Sequence, residues 1–425
     1  MGVMSKTILK KFALIRQPDT WPAIKKCNVL LVCGDQDRSY LHENQRYSPI
    51  IDSINDDLVA KGYVVCSISD RISRYAGSEA YNNPYSVNRS LIKYRALTQI
   101  GRMIGLSQNS LEHYRVKKET ALWRNILNKC EPTVVIGIQP DHPLCIAANE
   151  LKIRVYDVQH GLISDTDDND YYWSTRLNLF DRSYLPTGFL CWSDVSSKIL
   201  GEINALKHCD IKTVGNPWFR RFINVSPTDR LARKALSSVP CLDRFKPSIL
   251  VSLQNNIQEY AGDYVTDGFM ADCLKSVIMN NAENYNWLIR LHPAQLVGDN
   301  RNSVLRYLDE LFGRLEHVHW QWCTSLPLPV VLSLTNLHLT HFSSTTVEAG
   351  WMGIHTGLLD PHIRPSGKHQ DFYTHERETG VATVVPLSEE KLSRFIQEKL
   401  QKRTAIEDQD HLFRVDSLEE IISRC

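Results

Sequence analysis

Short apolar runs alternate with amphipathic segments along most of the chain. The runs predict strands that are buried on both faces. The clearest span residues 28–33, 63–68, 132–139, 153–158, 248–253, 287–291 and 337–340. The amphipathic segments predict helices, chiefly at 48–61, 86–129, 267–280 and 387–402. Strand and helix in alternation are typical of parallel sheets covered by helices, so we predict an α/β protein.

The alternation occurs in two blocks, separated by a charged, proline-bounded segment at 227–247. We therefore predict two doubly wound, Rossmann-like domains facing a central cleft, with 227–247 as the linker. The N-terminal domain would span 1–226 and the C-terminal domain 248–387. Helices in 388–425 would follow. Sheets of this kind place ligands beyond the carboxyl ends of their strands, and the polar motifs of this chain stand there.

Composition narrows the class of protein. The chain has 425 residues, and 49 Lys and Arg stand against 48 Asp and Glu, for a formal net charge of +1. This balance argues against a dedicated DNA or RNA binder. Neither the GxxxxGK motif nor GxGxxG occurs, which argues against a P-loop ATPase or a dinucleotide-dependent dehydrogenase. The 11 cysteines form no CxxC pair, so we expect no disulfide and no zinc site.

No apolar run approaches the roughly 20 residues needed to span a bilayer, and the N-terminus lacks a signal-peptide pattern. We therefore expect a cytoplasmic protein. Residues 6–16 place apolar side chains on one helical face and basic ones largely elsewhere. This segment is either an ordinary surface helix or a contact with the inner face of the cytoplasmic membrane.

A hydroxyl cluster follows the predicted strand at 337–340. It consists of Ser343, Ser344, Thr345 and Thr346, and a predicted helix begins directly after it. Helix N-termini and hydroxyl donors bind phosphate, and Glu348 would lie within reach of a ribose. The alternative is plain helix capping, for which Ser and Thr are preferred.

The strand at 287–291 leads into His292 and Pro293. Pro293 cannot pair in a sheet, so His292 should stand beyond the strand end. There it could donate to a phosphate or protonate a leaving group, with Arg290 on the same side. The alternative is a structural histidine at a turn.

The predicted N-terminal domain carries its own polar strand ends. In Gln159-His160-Gly161 the glycine permits close backbone approach, and His160 is a general base, a sugar ligand or a turn cap. Gln139-Pro140-Asp141 offers a carboxylate, as do Asp35 and Asp37. Asn216 follows a further short strand on the expected acceptor side.

An acidic run at 165–170 fails the EF-hand pattern, because Asp170 stands where that loop needs glycine. It is either a solvated loop or an Asp-x-Asp metal site for a nucleotide-sugar. We expect no essential metal and no cofactor.

Four motifs together resemble the GT-B glycosyltransferases of bacterial surface-polysaccharide synthesis, over most of the chain. They are QHG at 159–161, VGNP at 214–217, RLHP at 290–293 and SSTTVEAGWMG at 343–353. The last two are similar to motifs of bacterial sialyltransferases and Kdo transferases, and more loosely to those of polymerases that transfer CDP-linked polyol phosphates.

The resemblance implies a GT-B fold, with terminal helices that brace the N-terminal domain. It implies a CMP-sugar donor, with His292 at the CMP phosphate or cytidine, Ser343–Thr346 at the phosphate and Glu348 at the ribose. The acceptor would be a growing, lipid-linked surface glycan such as capsule, O-antigen or lipopolysaccharide.

The chain departs from the sialyltransferase pattern, whose base motif is an acidic pair followed by glycine. Here only Thr266-Asp267-Gly268 is present, in the other domain. Asp141 and His160 remain the candidates for catalysis, and CMP-Kdo is favoured as the donor. Open alternatives are a CDP-polyol phosphotransferase, a nucleotide-sugar epimerase and a non-catalytic glycan-binding or assembly protein.

Overall fold

A computed structural model describes residues 18–161, 163, 184–223, 225–255, 257–296, 298–401 and 415–423. The segments at 6–16 and 165–170 lie outside these residues. The chain divides into two compact units. Of the described residues, the first unit takes those up to 163 together with 184–220 and 415–423, and the second takes the remainder from 221 to 401.

The first unit is built on a six-stranded parallel sheet. The sheet strands are β1 (Val29–Val32), β4 (Val65–Ile68), β5 (Val134–Gly137), β6 (Arg154–Val158), β7 (Gly188–Cys191) and β8 (Asp210–Thr213). A separate antiparallel hairpin consists of β2 (Tyr40–His42) and β3 (Gln45–Tyr47). The order β4-β1-β5-β6-β7-β8 reverses direction between β1 and β5. A ligand crevice is expected at that reversal.

Helices cover both faces of this sheet. They are α1 (Ile51–Ala60), α2 (Asn88–Met103), α3 (Gln108–Cys130), α4 (His142–Glu150), α5 (Asp194–Glu202) and α6 (Pro217–Ile223). The sequence predicted one helical region over 86–129, and the structure breaks it. Gly105 adopts φ +83°, and the Ser107 hydroxyl accepts from the Ser110 N–H to start α3. A positive φ at glycine ends a helix at little steric cost.

The second unit has a six-stranded parallel sheet of its own. Its strands are β9 (Ser248–Ser252), β10 (Asn286–Arg290), β11 (Val318–His319), β12 (Leu337–Thr340), β13 (Thr356–Leu358) and β14 (Ala382–Val384). The order β11-β10-β9-β12-β13-β14 places the reversal between β9 and β12. This is the dinucleotide-fold strand order, whereas the first unit has a different one.

The helices of the second unit begin inside the segment predicted as a linker. They are α7 (Arg230–Ser237), α8 (Ile257–Ala261), α9 (Asp272–Asn280), α10 (Gly298–Phe312), α11 (Gln321–Ser325), α12 (Leu328–Ser333), α13 (Thr345–Trp351), α14 (Thr374–Glu378) and α15 (Glu389–Gln401). The Asp229 carboxylate caps α7 by accepting from the Ala232 N–H at 2.9 Å. Residues 227–247 are therefore partly helical.

A last helix, α16 (Val415–Ser423), returns to the first unit. Arg154 donates to the carbonyl of Ile421, and Lys61 pairs with Glu419 at 2.8 Å. Leu418 and the two isoleucines of α16 are buried. The first unit is thus closed by residues that follow the whole second unit in sequence.

Each unit is a Rossmann-like α/β domain, as the sequence predicted. Within the described residues, no helix has the combined length and apolarity that crossing a bilayer requires.

Candidate functional site

The carboxyl ends of three adjacent strands form the candidate site of the second unit. In the order β10-β9-β12, the loops after these strands meet at one edge of the sheet. A hydrogen-bonded line crosses that edge. Gln295 accepts from the His292 N–H at 2.8 Å and donates to the Gln254 carbonyl at 3.1 Å. Gln254 reaches Thr340 of β12 with a longer contact of 3.5 Å. Both glutamines are buried, so the line holds the loops in register.

His292 is half-buried at the start of this line. Its Nδ1 accepts a hydrogen bond from the backbone N–H of Ala294 at 3.1 Å. This bond assigns the proton of the neutral ring to Nε2. Burial lowers the pKa of His292, which favours the neutral ring. The residue therefore presents one N–H donor, a group that suits a phosphate or carbonyl oxygen.

Two hydroxyl groups of the cluster contact each other within the turn that begins α13. The Ser343 hydroxyl accepts from the Thr345 N–H at 3.3 Å and contacts the Thr345 hydroxyl at 3.1 Å. Thr345 and Thr346 are buried, whereas Ser343 and Ser344 are half-exposed. Among the described residues, the Ser344 hydroxyl has no hydrogen-bond partner. The two serines are therefore the more accessible candidates for the predicted phosphate contact.

Arg290 and Glu348 lie within electrostatic reach of each other. The Arg290 guanidinium donates to the carbonyls of Cys323 and Leu326, the latter at 2.8 Å. It therefore fastens the chain around α11, and this arrangement does not favour the predicted phosphate contact. Burial raises the pKa of Glu348 to about 8, although the Arg290 charge opposes that rise. A protonated Glu348 can both donate to and accept from a hydroxyl group.

A buried aspartate–histidine pair after β13 was not anticipated from the sequence. The His369 Nδ1 lies 2.5 Å from the Asp360 carboxylate, which also accepts from the His362 N–H at 2.8 Å. The His369 ring stacks on Phe372 with centroids 4.7 Å apart. Asp360 stands just beyond a strand end, so the positional signal that selected His292 was present here too.

In the first unit, three aspartates follow the three adjacent strands β4, β1 and β5, next to the reversal. Asp37 lies after β1, Asp70 after β4 and Asp141 after β5. Asp70 is only 3% exposed, and neither of its carboxylate oxygens has a hydrogen-bond partner among the described residues. Its nearest cation is Arg71, whose Nε is 3.7 Å from Oδ2. The sequence reasoning missed Asp70 and Arg71, although both directly follow a predicted strand.

These aspartates hold protons unusually tightly. Burial raises the pKa of Asp37 and of Asp70 to about 6. It raises the pKa of Asp141 to about 8, and the negative charge of Asp70 adds to this rise. Asp141 also caps α4 by accepting from the Leu144 N–H at 2.9 Å. Asp141 is therefore largely protonated at neutral pH and suits the role of a general acid.

Asp35 differs from these three, because its carboxylate is fully engaged in holding a loop. One oxygen accepts from the Ser73 hydroxyl at 2.5 Å and the other from the Arg74 N–H at 2.7 Å. Asp35 therefore stabilises the loop that contains Ser73 and Arg74.

The turn after β6 fixes the QHG motif. Gln159 accepts from the Trp192 N–H at 2.7 Å and donates to the Gly161 carbonyl at 2.8 Å. His160 is exposed between these anchored residues. Although the side chain is exposed, surrounding groups partly desolvate the ring and lower the pKa of His160; a hydrogen bond with the Val158 backbone opposes this, and the positive charge of Arg71 lowers the pKa further. A neutral imidazole on a rigid turn suits the role of a general base.

Two other predicted site residues serve the backbone. Asn216 is buried and caps α6, accepting from the N–H groups of Trp218 at 3.0 Å and Phe219 at 3.2 Å. Gln139 adopts a left-handed φ of 48°, and its N–H donates to Asp157 at 2.8 Å. Both residues shape the loops at the sheet edge.

The first unit therefore places an acid and a base with opposite pKa shifts after two paired strands, β5 and β6. Asp141 is affected by the charge of Asp70, and His160 by that of Arg71, which itself adjoins Asp70. Environments that drive two titrating groups in opposite directions are typical of catalytic acid–base pairs. In the part of the chain that the structure describes, no group of three or more His, Cys, Asp or Glu side chains is arranged to hold a metal ion.

No protein-family model matches the chain, and no curated protein sequence matches it significantly. Solved structures do match. The UDP-GlcNAc 2-epimerase from Neisseria meningitidis bound to UDP-GlcNAc is 15% identical, with a TM-score of 0.52 over 93% of this chain and 98% of that one. The UDP-GlcNAc 2-epimerase from Methanocaldococcus jannaschii is 16% identical, with a TM-score of 0.55 over 93% and 97%.

The wall teichoic acid polymerase TagF is also similar, at 12% identity and a TM-score of 0.55, over 99% of this chain and 94% of that one. At such identities the likeness establishes the fold alone. It confirms the prediction of two Rossmann-like domains of the GT-B type.

Proposed function

We propose that the protein is a glycosyltransferase that moves a sugar from a nucleotide-sugar to a growing bacterial surface glycan. The donor would bind at the carboxyl edge of the second sheet, and the acceptor in the first unit. The proposal rests on the fixed tautomer of His292. Within the described part of the chain, its Nε2–H is a free donor beyond the carboxyl end of a strand, where sheets of this kind bind nucleotides.

On the donor side, His292 would donate to a phosphate oxygen of the nucleotide and stabilise its departing negative charge. Ser344 would add a hydroxyl donor, and Glu348 would bind the ribose. The His292–Gln295–Gln254 line supports this assignment, because it holds the histidine backbone in place before the donor arrives. Preorganised donors cost no reorganisation during the reaction.

On the acceptor side, His160 would take the proton of the attacking hydroxyl. Its exposure and its lowered pKa support this role. Asp141, with its raised pKa, would supply a proton or a hydrogen bond within the same unit. This scheme needs only positioning and acid–base chemistry, so no metal enters it.

For the nucleotide we propose a pyrimidine. The motif resemblance favours CMP-linked sugars such as CMP-Kdo, whereas UDP-GlcNAc is the ligand of an epimerase structure with a similar fold. A thermal-shift titration with CMP, CDP, UDP, GDP and ADP separates these donors. At about 100 times its Kd, a ligand specific for the native state adds about 2.7 kcal/mol of stability.

The titration should be run on the wild type, on His292→Ala and on His375→Ala, an exposed histidine of α14 that serves as the control. We expect stabilisation by one pyrimidine nucleotide in the wild type and the control, and its loss in His292→Ala. Selectivity for UDP would contradict a CMP-linked donor but leave the proposed glycosyltransferase function in place. No shift with any nucleotide would overturn the proposal in favour of a non-catalytic glycan-binding protein.

A second candidate is transfer of a polyol phosphate from a CDP-linked donor. It is favoured by the motif resemblance to such polymerases and by the fold similarity to a wall teichoic acid polymerase. Epimerisation of a nucleotide-sugar is a third candidate, and the similarity to UDP-GlcNAc 2-epimerases favours it. Product analysis distinguishes all three, because an epimerase turns over without acceptor and a phosphotransferase releases CMP from CDP-polyol.

A further inference from the structure

An apolar patch lies at the tip of the α2–α3 pair in the first unit. We call residues 97–106 the α2–α3 tip. It exposes Leu97, Ile100, Met103, Ile104 and Leu106. These are five of the thirteen large hydrophobic side chains exposed among the described residues, within a stretch of ten. Met103 is 78% exposed and Ile104 is 72% exposed, so neither packs on the protein. A concentrated apolar patch of this kind marks an interaction surface.

The geometry of the pair explains why these side chains point outward. Gly101 faces α3 so closely that a Cβ there would meet a Leu111 methyl at 2.5 Å. Leu97, Ile100 and Ile104 follow one another at helical spacings of three and four residues, on a side of α2 that no described element covers. The close contact at Gly101 thus leaves the remaining apolar face exposed.

The charges along α2 and into the start of α3 are basic, up to Glu112. Residues 88–111 contain four basic side chains, Arg89, Lys93, Arg95 and Arg102, and no acidic one. The chain as a whole is balanced, at 49 basic and 48 acidic residues. Long basic side chains beside exposed apolar ones suit an anionic bilayer surface, with the charges at the headgroups. A second copy would bring its own basic residues against these, which disfavours self-association.

We propose that the α2–α3 tip is a membrane-contact surface that inserts its apolar side chains into the headgroup boundary of an anionic bilayer. Helix α3 runs from this surface towards Asp141. Arg115 lies seven residues after Gln108, about 10 Å along the helix, and its charge acts on Asp141. On the proposed function, a lipid-linked acceptor would therefore meet the acid–base pair near the bilayer.

Vesicle flotation of the full-length protein tests this surface. One set of vesicles contains phosphatidylcholine with one quarter phosphatidylglycerol, and the other contains phosphatidylcholine alone. We expect binding to the anionic vesicles to be at least tenfold tighter. Met103→Ser, Ile104→Ser and Leu106→Ser combined should weaken that binding at least tenfold. Lys93→Gln with Arg102→Gln should remove the preference for anionic vesicles.

Matched controls come from the second unit. Phe245→Ser with Met279→Ser removes two exposed apolar side chains, and Arg301→Gln with Arg306→Gln removes two exposed charges. Both should bind vesicles as the wild type does. All substituted side chains are exposed, and circular dichroism with nucleotide titration checks that each variant is folded. Because nucleotide binding is read separately, failure of this surface and failure of the proposed function give different results.

Unchanged flotation of the triple variant would overturn the proposal and assign any membrane contact elsewhere, for example to residues 6–16. A concentration-dependent dimer that the triple variant abolishes, without a change in flotation, would also overturn it. In that case the patch would be an interface between copies of the chain.

Discussion

The backbone N–H of Ala294 donates to the Nδ1 of His292 at 3.1 Å and so leaves the Nε2–H as the outward donor. A glutamine amide places its nitrogen near the position of Nε2, whereas an asparagine amide places its nitrogen near Nδ1. We therefore expect His292→Gln to keep more nucleotide affinity than His292→Asn. Loss of a hydrogen bond to a charged phosphate costs about 1.5–3 kcal/mol, or roughly 10- to 100-fold in Kd.

Isothermal titration with the nucleotide selected by thermal shift measures both variants beside the wild type. Equal losses in the two variants would show that Nε2 is not the group that contacts the ligand.

The acid–base pair of the first unit predicts a bell-shaped pH profile. Since the pKa of His160 is lowered and that of Asp141 is raised to about 8, the active form should exist between these two values. We expect kcat/KM to rise through the lower pKa and to fall above about pH 8. Asp141→Asn, which keeps a capping oxygen for α4, should remove the alkaline fall.

His160→Ala is the companion variant. It should lower kcat at least 100-fold while leaving the nucleotide Kd of the second unit unchanged. A normal kcat in this variant would transfer the base role to another residue.

Asp70 makes stability depend on pH. Its folded pKa of about 6 lies above its ordinary value of 3.8, so the folded state holds the proton more tightly than the unfolded state. This contribution is present below about pH 4 and is lost as the pH rises to about 6. Asp70→Asn removes the cost of the buried charge, and should raise the free energy of unfolding at pH 8 relative to pH 4 by about 2 kcal/mol.

Urea unfolding at the two pH values measures the difference. Asp371→Asn, an exposed aspartate in the second unit, is the control and should show almost none. A change of the same size in both variants would trace the effect to overall charge.

Asn216 should matter for stability alone. Its side chain accepts from two N–H groups at the start of α6, so Asn216→Ala should cost about 1–2 kcal/mol. Asn216→Asp keeps the capping oxygen and should cost less. Activity per folded molecule should match the wild type in both, and a selective loss of activity would restore the acceptor-side role predicted from the sequence.

The sequence was a good guide to position and a poor guide to hydrogen-bond partners. Apolar runs and strand ends located Asp141, His160 and His292 correctly at the carboxyl edges of the two sheets. Whether a polar group is free depends on distant backbone, such as the carbonyls of Cys323 and Leu326 that engage Arg290. No local spacing reports such a contact.

The burial of individual polar side chains could not be predicted from the sequence for the same reason. Asp70 reads as one more polar residue after a strand, and only the packed structure shows that its carboxylate is enclosed without a hydrogen-bond partner among the described residues. Thr346 is a second case, because its hydroxyl is buried whereas Ser343 and Ser344 are half-exposed. A run of four hydroxyl residues does not indicate which of them the turn will bury.

The return of α16 to the first unit has a consequence for how the protein is made. During synthesis the first sheet leaves the ribosome long before Ile421, whose carbonyl accepts from Arg154, and Glu419, which pairs with Lys61, have been made. Until then the surface that receives α16 is uncovered. The core of the first unit therefore stays incomplete while the second unit is synthesised and folds. Although α16 has only nine residues, its deletion should therefore lower both the folding yield of the nascent chain and the solubility of the protein.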